Sequence, residues 1–341
     1  MTNKLDDMPP MQKKQLSEGI LNVAVIGTGV MGQNHLRVYE GLKGVKLVGL
    51  YDVDKHKAST LAQHYNCVSF DELTDIVGVV DAVSICTPSV THHVYGQFFL
   101  SNGVHCLIEK PLAASQTECE ELIRSAEKAG VKLLVGHIER FNPAVQQVFS
   151  MLQQGAKIQA IEARRLSSVS ARIKDVDVVM DLMVHDLDIV LALASSPVSK
   201  VYASEVKTDV TSGGDYVTGL LEFESGVSAT VIASRMSQNP VRKLTVTTDR
   251  GAVEVDYQNQ SADVYLKTST IDRGDGSPFG QYASGISMES VQIRRQEPLQ
   301  LELSHFVDII NHDLEPFVSG HQALDALKVV WKMQNIITCG R

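Results

Sequence analysis

A short stretch, DLMVHDLD at residues 181–188, has the residue types and spacing to do chemistry. It places three carboxylates and an imidazole inside an apolar run, although taking an unpaired charge out of water is costly. If the stretch is an α-helix turning about 100° per residue, Asp181, His185 and Asp188 share one face, and Asp186 points elsewhere. Histidine and carboxylate groups on one face suit general acid–base chemistry, because imidazole titrates near neutral pH.

Two other interpretations of this stretch remain open. His185 could be a core histidine whose neighbouring acids only cap or pair. A zinc site is the third possibility, and it is disfavoured because the stretch has one histidine and no nearby cysteine. The elements around the stretch must therefore be considered before it is assigned a role.

The N-terminal part predicts a dinucleotide-binding fold. An apolar run at residues 21–26 leads into GTGVMG at 27–32, a helical pattern follows to about Leu42, and a second apolar strand ends at Asp52. In such a unit the glycines allow a tight turn and a close approach of the pyrophosphate to the helix N-terminus. A carboxylate at the position of Asp52 accepts hydrogen bonds from the adenosine ribose and repels a 2′-phosphate, so NAD is favoured over NADP.

Two further predicted strands, at 82–86 and 104–108, end in polar residues. Because ligands of open parallel sheets bind at the carboxyl ends of the strands, these ends and the glycine loop should line one edge. The expected cofactor-binding residues are Gly27, Gly29, Val30, Met31, Gly32, Asp52, Thr87, Pro88, His92, Glu109 and Lys110.

Length and composition indicate a two-domain soluble protein. The chain has 341 residues, 44% of them hydrophobic, and a formal net charge of −9, which argues against a nucleic-acid or anionic-membrane partner. The five cysteines are scattered without metal-ligand spacing, and the start of the chain lacks a signal-peptide core. We therefore expect a cytoplasmic protein with reduced thiols and without a bound metal.

The C-terminal part predicts an α+β domain with a large, mostly antiparallel open sheet. Candidate strands, separated by glycine-containing turns, lie at 158–165, 200–206, 216–223, 227–233, 243–247, 252–256 and 263–267. We predict a mobile leader at 1–19, a Rossmann domain at 20–138 and a substrate-binding and oligomerisation domain at 139–341. Residues 271–296 are expected to form a loop, and a C-terminal helix at 321–336 could pack back toward the first domain.

The chain resembles the glucose–fructose oxidoreductase, inositol dehydrogenase and MocA (Gfo/Idh/MocA) family over nearly all its length after residue 20. The motifs that carry the resemblance are GTGVMG (27–32), TPSVTH (87–92), EKP (109–111), HIERFNPA (137–144), DLMVHDLD (181–188) and EPLQLELSHFVDII (297–310). The resemblance implies an NAD(P)-binding Rossmann domain, an open-sheet domain that supports dimers or tetramers, and oxidation or reduction of sugar hydroxyls.

Site roles also follow from the resemblance. Lys110 matches the lysine that hydrogen-bonds the reacting oxygen, and Asp181 and His185 match a D-x-x-x-H pair beside the substrate. His185 is then the expected general base, and Asp181 orients its ring or binds a neighbouring hydroxyl. Ser89 departs from the Asn that the family often has after Thr-Pro, which affects the expected nicotinamide-ribose contact.

The sequence around residues 181–188 is similar to that of the family branch that oxidises UDP-N-acetylglucosamine-type sugar nucleotides at C3. This branch implies a 3-keto sugar nucleotide, which a partner aminotransferase would convert to a 3-amino sugar for lipopolysaccharide or lipid A. A diphosphate needs cationic ligands, and the candidates are Arg140, Arg165 and Arg172. Two alternatives stay open: a dehydrogenase of a free sugar or polyol such as inositol, and a sensor that binds NAD or a sugar nucleotide without turnover.

Overall fold

The computed structural model describes residues 19–152, 155–168, 177–207, 215–267 and 286–339. The chain divides into two compact units. The first comprises residues 1–138 and 297–325, and the second comprises residues 139–296 and 326–341. The segment 297–325 thus departs from the predicted division, which placed all of 139–341 in the second domain. The predicted leader at 1–19 lies, except for its last residue, outside the described residues.

The first unit contains a six-stranded parallel sheet with the doubly wound order β3-β2-β1-β4-β5-β6. Its strands are β1 (Leu21–Ile26), β2 (Val45–Tyr51), β3 (Val68–Ser69), β4 (Ala82–Ile85), β5 (His105–Glu109) and β6 (Leu133–Gly136). The central strands are apolar on both faces, as strands covered by helices on both sides must be. This confirms the predicted Rossmann fold.

Helices connect these strands: α1 (Val30–Gly41), α2 (Lys55–His64), α3 (His92–Ser101) and α4 (Gln116–Ala129). The bounds of α4 follow from end signals in its sequence. Ser115 and Glu118 form a capping box, and Gly130 ends the helix in the left-handed conformation. The helix α2 was not predicted, since Ala58 and Ala62 are its only buried residues and give no apolar stripe.

The helix α7 (Pro298–Asn311) explains why the later segment belongs to the first unit. Leu299, Leu303, Phe306 and Ile310 recur at helical spacing and are buried. The helix packs on α1, and Glu297 at its N-cap pairs with Arg37 of α1. A segment remote in sequence therefore completes the apolar cover of the Rossmann unit.

The second unit contains an eight-stranded sheet with the order β14-β13-β12-β11-β7-β10-β9-β8. Only β7 and β10 are parallel neighbours; the other described pairs are antiparallel. Its strands are β7 (Ile158–Ser168), β8 (Val198–Val206), β9 (Tyr216–Phe223), β10 (Ser228–Ser234), β11 (Met236–Thr248), β12 (Gly251–Asp256), β13 (Ser261–Lys267) and β14 (Ile286–Val291). This confirms the predicted large, mostly antiparallel sheet.

The strand β14 corrects part of the predicted loop at 271–296, because Ile286–Val291 pairs with β13. The rest of that loop up to residue 285 lies outside the described residues. The remaining helices are α5 (Pro143–Leu152), which was not predicted, α6 (Val184–Ala194), and α8 (Gly320–Cys339), which overlaps the predicted C-terminal helix.

One face of the larger sheet is apolar and buried, and the other is open. Along β9, Val217, Leu221 and Phe223 are buried, while Leu220 between them is exposed. Tyr202 and Met288 on other strands are also exposed. Across the described helices, none combines the length and apolar character that crossing a membrane requires.

Candidate active site

The glycine loop has the geometry that a dinucleotide requires. Gly27 has a φ of +86°, which favours glycine. A Cβ on Gly32 would lie 1.9 Å from the carbonyl oxygen of Gly27, so only glycine allows α1 to approach the loop this closely. A Cβ on Gly29 would meet nothing within 4 Å, which leaves room beside the first turn of α1. Gly29 caps this helix without a side-chain hydrogen bond, so the first N–H groups of α1 can bind an anion.

The expected ribose ligand, Asp52, is bound to the glycine loop. Its Oδ2 accepts hydrogen bonds from the Thr28 backbone N–H (2.7 Å) and hydroxyl (2.6 Å), and its Oδ1 accepts one from the Asp54 N–H (3.0 Å). Burial raises the pKa of Asp52, but these hydrogen bonds outweigh burial and lower it below the ordinary value. A carboxylate therefore stands at the end of β2, where the sequence predicted it.

The ends of β4 and β5 are joined by His92. Its Nδ1 lies 2.8 Å from the carbonyl oxygen of Pro111, and its Nε2 lies 2.9 Å from that of Thr87. The ring is 1% exposed, and burial lowers its pKa, although both carbonyls act in the opposite direction. Both ring nitrogens of His92 thus contact backbone carbonyls, so His92 does not present a free ring nitrogen to a cofactor, although it was expected among the cofactor-binding residues. The ring instead holds together the strand ends that carry Thr87 and Lys110.

The Glu109 carboxyl is engaged inside the first unit. Its Oε1 lies 3.0 Å from Nε2 of the fully buried His35. His35, Glu109 and Cys86 bring three potential metal-ligating atoms within 4.8 Å of one another. Burial, followed by the charges of Glu109 and Glu302, raises the pKa of the Cys86 thiol well above its ordinary value, so the cluster holds a neutral thiol.

Glu302 of α7 was not predicted as part of this cluster. It is fully buried, and neither of its carboxyl oxygens has a hydrogen-bond partner among the described residues. Burial and the charge of Glu109 raise its pKa well above the ordinary value, so it is held as the neutral acid. A glutamate in the apolar stripe of α7 was the sequence signal that could have identified it.

The pattern at residues 181–188 predicts one continuous α-helix, and the structure differs. Val179–Met183 forms a π-helical turn, and α6 begins at Val184. Asp177 caps this turn: its Oδ1 accepts hydrogen bonds from the N–H groups of Val179 (2.9 Å) and Met180 (3.0 Å). π-Turns are rare and concentrate at functional sites. The change of helical pitch alters which side chains share a face.

Two acids of this stretch are each paired with a buried arginine. Arg140 binds both oxygens of Asp188 (2.6 and 3.1 Å), and Arg165 binds both oxygens of Asp186 (2.8 and 3.0 Å). All four side chains are at most 4% exposed. The prediction that Asp188 shares a reactive helix face with Asp181 and His185 is therefore wrong, because its carboxylate is buried against a guanidinium.

The same contacts correct the expected diphosphate ligands. Arg140 and Arg165 cannot present their guanidinium groups to a solvent-borne diphosphate, because each is buried against a carboxylate. Sequence alone could not distinguish a buried arginine from a solvated one in an alternating strand. The third candidate, Arg172, lies outside the described residues.

Asp181 and His185 retain the exposure that a reactive pair needs. Both are half-buried, whereas Asp186 and Asp188, which lie on α6, are fully buried. Asp181 is paired through Oδ2 with the guanidinium of Arg235 at 2.8 Å. Arg235 was not predicted, because nothing in the sequence links it to a residue 54 positions earlier.

Comparison with known proteins agrees with the two-part fold. A family model described as the oxidoreductase family with an NAD-binding Rossmann fold matches residues 21–137. A model of the Gfo/Idh/MocA C-terminal domain matches residues 162–254.

Individual relatives cover most of the chain. The UDP-N-acetylglucosamine 3-dehydrogenase of Acidithiobacillus ferrooxidans is 32% identical over 88% of this chain and 92% of its own. Its solved structure superposes with a TM-score of 0.84 over 94% of this chain and 98% of its own, at 29% identity. An inositol 2-dehydrogenase of Rhizobium meliloti is 26% identical over 89% of this chain and 92% of its own.

A more distant structure shares the fold. It is an oxidoreductase from Agrobacterium radiobacter in complex with NAD⁺, L-tartaric acid and magnesium. It has a TM-score of 0.82 and 18% identity and covers 94% of this chain and 97% of its own.

Proposed function

Because the chain belongs to the Gfo/Idh/MocA family of NAD-binding oxidoreductases, we propose that it oxidises C3 of a UDP-N-acetylglucosamine-type sugar nucleotide. The observation that carries the proposal is the 32% identity with a UDP-N-acetylglucosamine 3-dehydrogenase over 92% of that enzyme. When bound, NAD supplies the hydride acceptor. The product is a 3-keto sugar nucleotide.

The residues of this chain supply the cofactor site and the proton chemistry. The glycine loop binds the pyrophosphate and Asp52 binds the adenosine ribose. Lys110, directly after β5, donates a hydrogen bond to the reacting oxygen and stabilises its developing negative charge. His185 accepts the hydroxyl proton, and Asp181 orients the ring or accepts a neighbouring substrate hydroxyl.

A second candidate function is the oxidation of a free polyol. It is favoured by the 26% identity with an inositol 2-dehydrogenase over 89% of this chain. The burial of Arg140 and Arg165 against carboxylates also removes two of the three side chains that were expected to bind a diphosphate. Phosphate recognition must then come from backbone N–H groups or from other cations. An inositol substrate has no phosphate and would need no such groups.

The proposal extends to assembly and to the next reaction. The open sheet face, with Tyr202, Leu220 and Met288 exposed, would be covered by a second copy of the chain in a homodimer or homotetramer. A 3-keto sugar nucleotide is an electrophile suited to an aminotransferase, which is the partner we propose. Light scattering of the purified chain tests the assembly, and a monomer would contradict it.

The experiment for the function is a substrate panel with purified protein and NAD, followed at the NADH absorbance band. We expect activity with UDP-N-acetylglucosamine and none with N-acetylglucosamine, glucose or inositol. A parallel reaction includes a 2-keto acid as acceptor to recycle tightly bound NADH, and there the 3-keto sugar product is followed instead of the absorbance. Activity confined to inositol would favour the second candidate, and NAD binding without turnover of any sugar would favour a sensor.

A further inference from the structure

Arg235 lies between β10 and β11 and makes an ion pair whose carboxylate is more exposed than those bound by the other buried arginines of its unit. Its backbone N–H donates to the carbonyl oxygen of Asp215 at 2.8 Å, so the chain is fixed at this position. Its Nη2 donates to Oδ2 of Asp181 at 2.8 Å. The arginine side chain is 4% exposed, and the aspartate is 18% exposed.

This difference in exposure separates the pair from the structural ion pairs nearby. In Arg165–Asp186 and Arg140–Asp188 both members are buried, and the carboxylate is at most 1% exposed. In Arg235–Asp181 the guanidinium is inside and the carboxylate reaches the surface. A buried guanidinium thus holds a carboxylate that is itself partly exposed.

The turn that carries Asp181 is fixed as well. Asp177 caps the π-turn through Oδ1, and its Oδ2 accepts a hydrogen bond of 2.6 Å from Nε2 of Gln334 in α8. Asp181 lies on the π-turn, and His185 follows about one turn later at the start of α6. A fixed charge one turn away contributes to the electrostatic surroundings of the His185 ring.

We propose that Arg235 is a positioning residue for the reactive pair: it holds Asp181 as a fixed hydrogen-bond acceptor, so that His185 alone takes up the substrate proton. A carboxylate engaged by a guanidinium accepts hydrogen bonds and has no proton to donate. Asp181 then orients the imidazole or a substrate hydroxyl and stabilises the imidazolium. This inference rests on the proposed function of Asp181 and His185.

The test uses changes of charge with opposite signs. Removing a nearby positive charge favours protonation of the ring, and removing a nearby negative charge disfavours it. Other charges beside this turn stay constant in every variant: Asp177, Asp186 with Arg165, and Asp188 with Arg140. The variants are Arg235→Met, Arg235→Lys and Asp181→Asn, with Arg124→Met, an exposed arginine paired with Glu120, as matched control.

We expect Arg235→Met to lower kcat roughly 10–100-fold, as a misplaced catalytic group does. The acidic limb of its kcat/KM profile should move to higher pH, and the limb of Asp181→Asn should move to lower pH. Arg235→Lys keeps the positive charge, so the acidic limb of its kcat/KM profile should stay at the wild-type pH while kcat falls. Arg124→Met should match the wild type. An Arg235→Met limb that stays in place, with kcat lost only in proportion to unfolded protein, would overturn the proposal.

A second readout does not depend on turnover. The His185 ring can be titrated by NMR in substrate-free protein, with His185→Gln used to assign its signal. We expect its titration midpoint to rise in Arg235→Met and fall in Asp181→Asn. If no sugar is turned over, the proposed function fails, and this titration still decides the role of Arg235. Identical midpoints in all three proteins would overturn it.

Discussion

Arg165 and Asp186 form a two-point ion pair inside the second unit, with Nε–Oδ2 and Nη2–Oδ1 distances of 2.8 and 3.0 Å. Arg165 also donates through Nη1 to Glu139 at 2.9 Å. Burial raises the pKa of Asp186, while the charge and hydrogen bonds of Arg165 act in the opposite direction. The pair ties α6 to β7, and so it fixes the helix on which His185 lies.

Breaking this pair from one side should be strongly destabilising. Arg165→Met leaves Asp186 and Glu139 without their buried cation, so we expect a loss of about 3–5 kcal/mol in the free energy of unfolding. Arg165→Met with Asp186→Leu should recover part of this loss. The measurement is urea unfolding, with Arg124→Met as control. A single variant as stable as the wild type would contradict the assignment.

Asp52 should control both the affinity and the choice of cofactor. Asp52→Asn weakens hydrogen bonds to the ribose hydroxyls, so we expect the Kd for NAD to rise roughly 10–100-fold. The Kd for NADP should change less or fall, because the carboxylate no longer repels a 2′-phosphate. Both constants can be measured by fluorescence titration, with the exposed Asp71→Asn as control. An unchanged Kd for NAD would place the ribose elsewhere.

Glu302 should make stability fall as pH rises. Its folded-state pKa lies well above the ordinary value because of burial and the charge of Glu109, so the folded protein keeps a proton that the unfolded chain releases above about pH 4.3. Above about pH 5, and until the folded-state carboxyl itself ionises, we expect the wild type to lose up to about 1.4 kcal/mol per pH unit relative to Glu302→Gln.

Thermal unfolding at several pH values checks this difference. Glu302→Gln has the shape of the neutral acid and should flatten the dependence. Glu315→Gln, the same change at an exposed acid shortly after this helix, serves as control and should not change the slope. Parallel curves for wild type and Glu302→Gln would show that Glu302 ionises normally.

Lys110 and His185 should be required for turnover but not for folding. If they act in proton transfer and charge stabilisation, Lys110→Met and His185→Ala should each lower kcat by roughly 10²–10⁴. NAD binding by His185→Ala should be unchanged. The exposed Lys128→Met is the control for Lys110→Met. Normal turnover in both variants would remove them from the mechanism.

Sequence predicted the parts of the site that rest on strand ends. Gly27, Asp52 and Lys110 lie at an edge of a parallel sheet whose order follows from βαβ connections, so their positions were expected. The π-turn was not expected, since the pattern at 181–188 fits an α-helix equally well. Arg235 was missed because its partner is distant in sequence, and Arg165 was misassigned because burial of an arginine depends on tertiary pairing.

The central claim is the removal of a hydride from C3 of the sugar nucleotide, and an isotope label tests it most directly. UDP-N-acetylglucosamine carrying deuterium at C3 is incubated with the protein and NAD, and the reduced cofactor is analysed by mass spectrometry and NMR. We predict NADH that carries one deuterium at the nicotinamide C4, together with a 3-keto sugar nucleotide. Unlabelled NADH, or deuterium retained on the sugar, would contradict the account.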